Sequence, residues 1–339
     1  MRQFFRVIFW GLLVAGAGFA LVRLSRPPEI AVTEELYRFN RARAEAVKAH
    51  NQVAYSRHTV DNAGRLLAGA RRDGWRIIEE TAPAVAGGPA LQVVFVHDQD
   101  VTLAESINRG NYLSQLVRQW TRRQKPGLPV EFHTFSWRAD FGPEEFASAR
   151  LAAHVQSASL ASYLQAIGRP NAPLVILAHG LGAQLVLDAL HARRLNRVMP
   201  RVRAVLLVQP AVPRIDLARG TYEVTAGDEV KAVRYEGPHF LDLGAAHSVL
   251  ATCSRTDGVL SQEFPGETGE APRAPKRGAA LGLPYASPTE AELFPENFRL
   301  VDLSPGKHLD MALPGHDSLY DASGRRALWA MWQSVLRQL

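Results

Sequence analysis

From residue 90 onward the chain alternates short, continuous apolar runs with longer stretches in which apolar positions recur every three or four residues. The runs LQVVFVH (91–97), VEFHTFSW (130–137), LVILAH (174–179), RAVLLVQ (203–209), SVLATCS (248–254) and FRLVDL (298–303) have the length and apolar continuity of buried strands. Helical spacing predicts helices near Leu103–Gln124, Pro143–Ile167, Gly182–Arg194 and Ser323–Leu339. Alternation on this scale predicts an α/β domain with a mainly parallel, doubly wound sheet whose two faces are covered by helices. No internal repeat is visible.

The pattern is different at the N-terminus. Val7–Val22 is an uncharged run, VIFWGLLVAGAGFALV; as a helix it extends about 24 Å, against a hydrocarbon core of about 30 Å. Tilt, and snorkelling of Arg6 and Arg23, close that gap, so residues 1–26 are expected to be a membrane-anchor helix or uncleaved signal. A cleaved signal peptide is the alternative, with Arg2 and Arg6 as its positive region and Ala15-Gly16-Ala17 as its cleavage site, although the apolar run continues past that point. Pro27-Pro28 closes the run, and residues 27–89 form a helical linker region in which Thr33 caps a polar helix and APAVAGGPA (82–90) is a loop. The α/β domain is expected to span 90–339. Within it, 261–297 is so dense in Pro, Gly, Ala and charge that it is expected to be a flexible insertion or a lid.

Composition narrows the classes. The chain has 339 residues, 47% hydrophobic and 21% charged, which suits one large α/β domain with appendages. The net charge of +6 is scattered and has no block of Lys and Arg interleaved with aromatics, which argues against nucleic-acid binding. The single cysteine, Cys253, cannot form an intramolecular disulfide and lies in an apolar run as a small core side chain.

The candidate chemistry begins at the strand–turn–helix AHGLG, Ala178–Gly182. A sharp elbow of this kind needs small residues flanking its tip, and Ala178 and Gly182 meet that demand. The tip itself is Gly180, which has no oxygen to attack a carbonyl. Groups at the carboxyl ends of the other strands are the further candidates: Asp257 in RTDG, then His308 and His316 in SPGKHLDMALPGHDSLY, with His316 favoured by its place before the last helix.

Elbow, acid and histidine in that order, together with the serine–tryptophan motif Ser136-Trp137 after a strand, make the region from about residue 90 resemble the α/β-hydrolase superfamily. It is most like bacterial members of undefined substrate with an A-H-S-x-G elbow. The resemblance implies an α/β-hydrolase fold, with Gly180 at the nucleophile position, Asp257 as acid, His316 as base and the Leu181 amide as one oxyanion donor. Where such proteins have His-Gly in the loop after the first strand, this chain has His97-Asp98, and a carboxylate there opposes a developing oxyanion. Ser136 lies two strands from the elbow in the implied order, too far to substitute, while Ser254 and Ser318 are expected to be turn hydroxyls. His97, Asp98, His179, Asp257 and His316 lack close metal-ligand spacing, so neither a metal nor a cofactor is expected. The expectation is a membrane-tethered, esterase-like pseudohydrolase without its serine. It would bind a small apolar ligand or an envelope protein, on the periplasmic side of a bacterial inner membrane. The alternative is a weak hydrolase in which an Asp257–His316 dyad activates water.

Overall fold

The computed structural model describes residues 90–101, 103–139, 141, 145–196, 202–226, 229–254, 257, 260, 293–303 and 322–339. The anchor run, the 27–89 region and residues 261–292 lie outside the described residues. Among the described residues no helix is long and apolar enough to cross a membrane.

Eight strands are present among them: β1 (Leu91–Val96), β2 (Val130–Phe135), β3 (Leu174–His179), β4 (Val202–Val208), β5 (Arg219–Ala226), β6 (Glu229–Glu236), β7 (Ala246–Cys253) and β8 (Phe298–Asp302). The longer helices are α1 (Leu103–Gln124), α2 (Phe146–Ile167), α3 (Gly182–Asn196) and α4 (Ala322–Gln338). Six strands pair in parallel in the order β2-β1-β3-β4-β7-β8. A parallel sheet of this kind is buried on both faces, which is why β1 and β3 are apolar nearly throughout and wholly buried. Val94 and Val96 of β1 and Leu174, Ile176 and Ala178 of β3 join one core with α2 and α3. The opposite face is covered by α1 and α4, which are joined by a Trp332 Nε1–H bond to Thr121 Oγ1 (3.1 Å) and by the Trp120–Trp329 ring contact.

The chain leaves β1 towards β2 on one side, then crosses to β3 on the other. The reversal creates a crevice between the carboxyl ends of β1 and β3, the place where sheets of this kind carry their sites. Val96 pairs with both Phe135 and Ala178, so His97-Asp98, Ser136-Trp137 and His179-Gly180 all emerge at one edge of the sheet. The doubly wound order with an elbow leading from β3 into α3 is that of the α/β-hydrolase fold.

All six expected strands and all four expected helices are present, with small shifts at their ends. The β5–β6 hairpin was not expected and forms a separate antiparallel pair. Its signal is in the chain: TYEVTA and EVKAVRYE flank Gly227-Asp228, the two-residue kind of connection that suits a hairpin. Of the expected insertion 261–297, the described residues are 293–297. Leu293 and Arg219 exchange both backbone hydrogen bonds, and the Asn297 side-chain amide donates to the carbonyls of Leu243 and Ala246 at 2.8 Å each, so 293–297 are tied to the sheet.

Candidate functional site

The turn between β3 and α3 is left-handed at its tip: Gly180 has φ +51°, a conformation glycine adopts without the Cβ penalty other residues incur. Neighbouring backbone braces it. Gly180 N–H donates to the Val208 carbonyl and Ala211 N–H donates to the Gly180 carbonyl, both at 3.0 Å, so the end of β4 locks the elbow in place. Gly182 is small for another reason: a Cβ there would collide with the backbone carbonyls of His97 and Val96, because the first turn of α3 is set directly against the end of β1.

Asp98 fills the space over the tip. Its side chain is almost wholly buried, and its Oδ1 accepts the Leu181 N–H at 2.6 Å. A Cβ built on Gly180 would fall on the Asp98 carboxyl group, so a side chain at position 180 requires that carboxyl group to move as well as a left-handed backbone. The Leu181 amide, expected from the resemblance to be an oxyanion donor, holds a carboxylate of the same chain. That is a short, charge-assisted bond at the N-terminus of a helix, where backbone dipoles favour negative charge.

His97 fixes the backbone of Asp98. Trp137 N–H donates to His97 Nε2 at 3.2 Å, so the ring proton sits on Nδ1 and is donated to the Asp98 carbonyl oxygen at 2.8 Å. Burial lowers the His97 pKa to about 4, leaving the ring neutral near pH 7. The ring stacks on Trp137, and Trp137 Nε1–H donates to the His97 carbonyl at 2.8 Å. The Ser136 hydroxyl accepts from Ser106 at 2.8 Å and lies 3.3 Å from His97 Nε2. Because that nitrogen already accepts the Trp137 amide, it is poorly placed to take a proton from Ser136. The Ser-Trp motif is therefore a clamp on the loop that delivers Asp98.

Asp257 is buried beyond the end of β7. Its Oδ2 accepts from Gln209 Nε2 and its Oδ1 accepts the Leu260 N–H, each at 3.0 Å. Gln209 was not among the sequence candidates, although it is the polar residue ending the fourth apolar run. It is buried with φ +44°, a strained conformation for a non-glycine residue, and its own N–H donates to Thr252 Oγ1 at 2.9 Å. It ties the acid loop to the strand beside the elbow. His179, at the end of β3, is buried. Ser254 is buried and its carbonyl accepts the Asp257 N–H at 3.4 Å. His308, His316 and Ser318 lie outside the described residues, so the structure brings Gly180, Leu181 and Asp98 together and holds Asp257 through Gln209 on the same sheet edge, without a placement for the histidine.

No protein-family model matches the sequence, and no curated protein does. Among solved structures, the chain is similar to an esterase from Pyrobaculum calidifontis at 13% identity, covering 92% of this chain and 94% of that one with a TM-score of 0.35. It is also similar to the esterase domain of a Rhodothermus marinus protein at 15% identity, covering 75% and 89% with a TM-score of 0.33. A third is an extracellular α/β-hydrolase from a Paenibacillus species, at 12% identity, covering 71% and 98% with a TM-score of 0.33.

Proposed function

We propose that this domain is a pseudohydrolase: an α/β-hydrolase fold that has lost acyl transfer and works by binding, tethered to a membrane by the run Val7–Val22. The observation that carries this reading is the Asp98 carboxylate on the Leu181 amide above Gly180. Acyl transfer needs a nucleophilic oxygen at the tip and vacant donors for the charge that develops on the carbonyl oxygen. Here the oxygen is absent and the donor is taken by a buried anion. Loss of one oxyanion donor alone costs about 10²–10³ in turnover in serine hydrolases, and a fixed negative charge adds repulsion. On this reading the domain binds a small apolar ligand or an envelope protein at the carboxyl end of the sheet.

The test is a fluorophosphonate probe and an activated p-nitrophenyl ester on the full chain. The expected result is no covalent label and no burst of product. Sustained ester turnover, abolished by His316→Ala, would overturn this reading in favour of water activation by an Asp257–His316 dyad.

A further inference from the structure

Well along α3 from the elbow, a polar face meets the segment that follows β6. Asp188, His191 and Arg194 recur every three residues along α3, a spacing that places side chains on one face. His239 stands opposite with Asp242, which opens the short 3₁₀ turn Asp242–Ala245 before β7. His191 Nδ1 and His239 Nδ1 approach the same Asp242 oxygen, Oδ2, at 2.9 and 3.0 Å. Ligand atoms of these three residues all lie within 4.8 Å of one another. We propose that His191, His239 and Asp242 bind a divalent transition-metal ion, zinc by their donor types, with water completing the coordination.

Two imidazole nitrogens and a carboxylate oxygen are a donor set zinc accepts readily. Bonds of about 2.0–2.1 Å in a tetrahedron separate ligands by roughly 3.3 Å, so the nitrogen–oxygen separations of 2.9 and 3.0 Å need to open by about 0.3–0.4 Å. The surroundings are those of a metal-bound histidine. Asp188 Oδ1 lies 3.2 Å from His239 Nε2, and Asp188 is itself held by His154 at 3.1 Å and Gln184 at 3.1 Å. A carboxylate on the far nitrogen orients the ring and leaves Nδ1 for the ion.

Asp242 is held for the role. It is fully buried, and Arg194 Nε pairs with its Oδ1 at 2.7 Å, which fixes the carboxylate and leaves Oδ2 facing both histidines. His191 is partly exposed, which gives an ion a way in.

The experiment uses the untagged full chain, stripped by chelator and titrated with Co²⁺ as a coloured stand-in for zinc. One cobalt per chain is expected, with the strong d–d absorption of four-coordinate cobalt, and Zn²⁺ should displace it. His191→Ala should weaken uptake at least tenfold while the urea midpoint shows the chain still folded, and Asp242→Asn provides a second ligand variant. Asp188→Asn should weaken it by about 10–100-fold without removing a ligand. Failure to take up cobalt, or uptake of equal affinity in wild type, His191→Ala and Asp242→Asn, would overturn the proposal and leave the cluster as an ion-pair clasp.

Discussion

At the scale of single residues, Gly180 and Asp98 are one feature. Each excludes the usual occupant of the other's position: a side chain at 180 collides with the carboxylate, and the carboxylate would have no room above a serine. Gly180→Ser alone should therefore destabilise the domain by about 2 kcal/mol through overpacking and the left-handed backbone, and it should remain unlabelled by a fluorophosphonate. Asp98→Gly alone should cost about 1–3 kcal/mol by leaving a buried amide unsatisfied. The double variant should be more stable than the sum of the two, with a coupling of about 0.5–3 kcal/mol in urea denaturation. It is also the variant in which labelling is expected. His97 sets a pH dependence. Its pKa is near 6.5 unfolded and about 4 folded, so below pH 6.5 the unfolded chain binds the proton more readily. Stability should be flat in this respect above about pH 6.5, fall on the order of 3 kcal/mol between there and about pH 4, and level off below. His97→Gln should remove that slope from a series of urea titrations.

At the scale of elements, the elbow works because α3 can start directly against β1. Gly182→Ala should push that first turn away from the His97 carbonyl, costing about 1–3 kcal/mol and loosening the Asp98–Leu181 bond along with it. The urea midpoint and the Leu181 amide resonance would report both. Elements were the part most open to sequence reasoning. A strand buried on both faces must be apolar at nearly every position, so β1, β3 and β4 stand out as nearly unbroken apolar runs. The β5–β6 hairpin lacks that continuity: Glu223, Lys231 and Arg234 interrupt it, and only alternation around Gly227-Asp228 betrays it. The glycine at the tip was equally legible. Asp98 was expected beside the oxyanion site, but not its bond to the Leu181 amide over Gly180, which depends on the register of β1 against β3 and on the Asp98 rotamer. The cluster on α3 was missed because His191 and Asp242 are far apart along the chain and only packing brings them together.

At the scale of the whole molecule, the proposed membrane tether predicts a difference between the full chain and a shorter one. The full chain should sediment with membranes and resist carbonate extraction, whereas a chain beginning near Thr33 should stay in the supernatant; recovery of soluble protein lacking residues 1–17 would instead indicate a cleaved signal. The domain also has an internal clock. The Leu181–Asp98 hydrogen bond joins residues 83 apart in sequence and bridges two strands at the centre of the sheet. The bond is buried and lies between two strands held in register by the sheet, so opening of the turn alone should not expose it. Deuterium should therefore enter the Leu181 amide only as fast as the entire domain unfolds, even though that amide lies in a turn, where exchange is ordinarily quick.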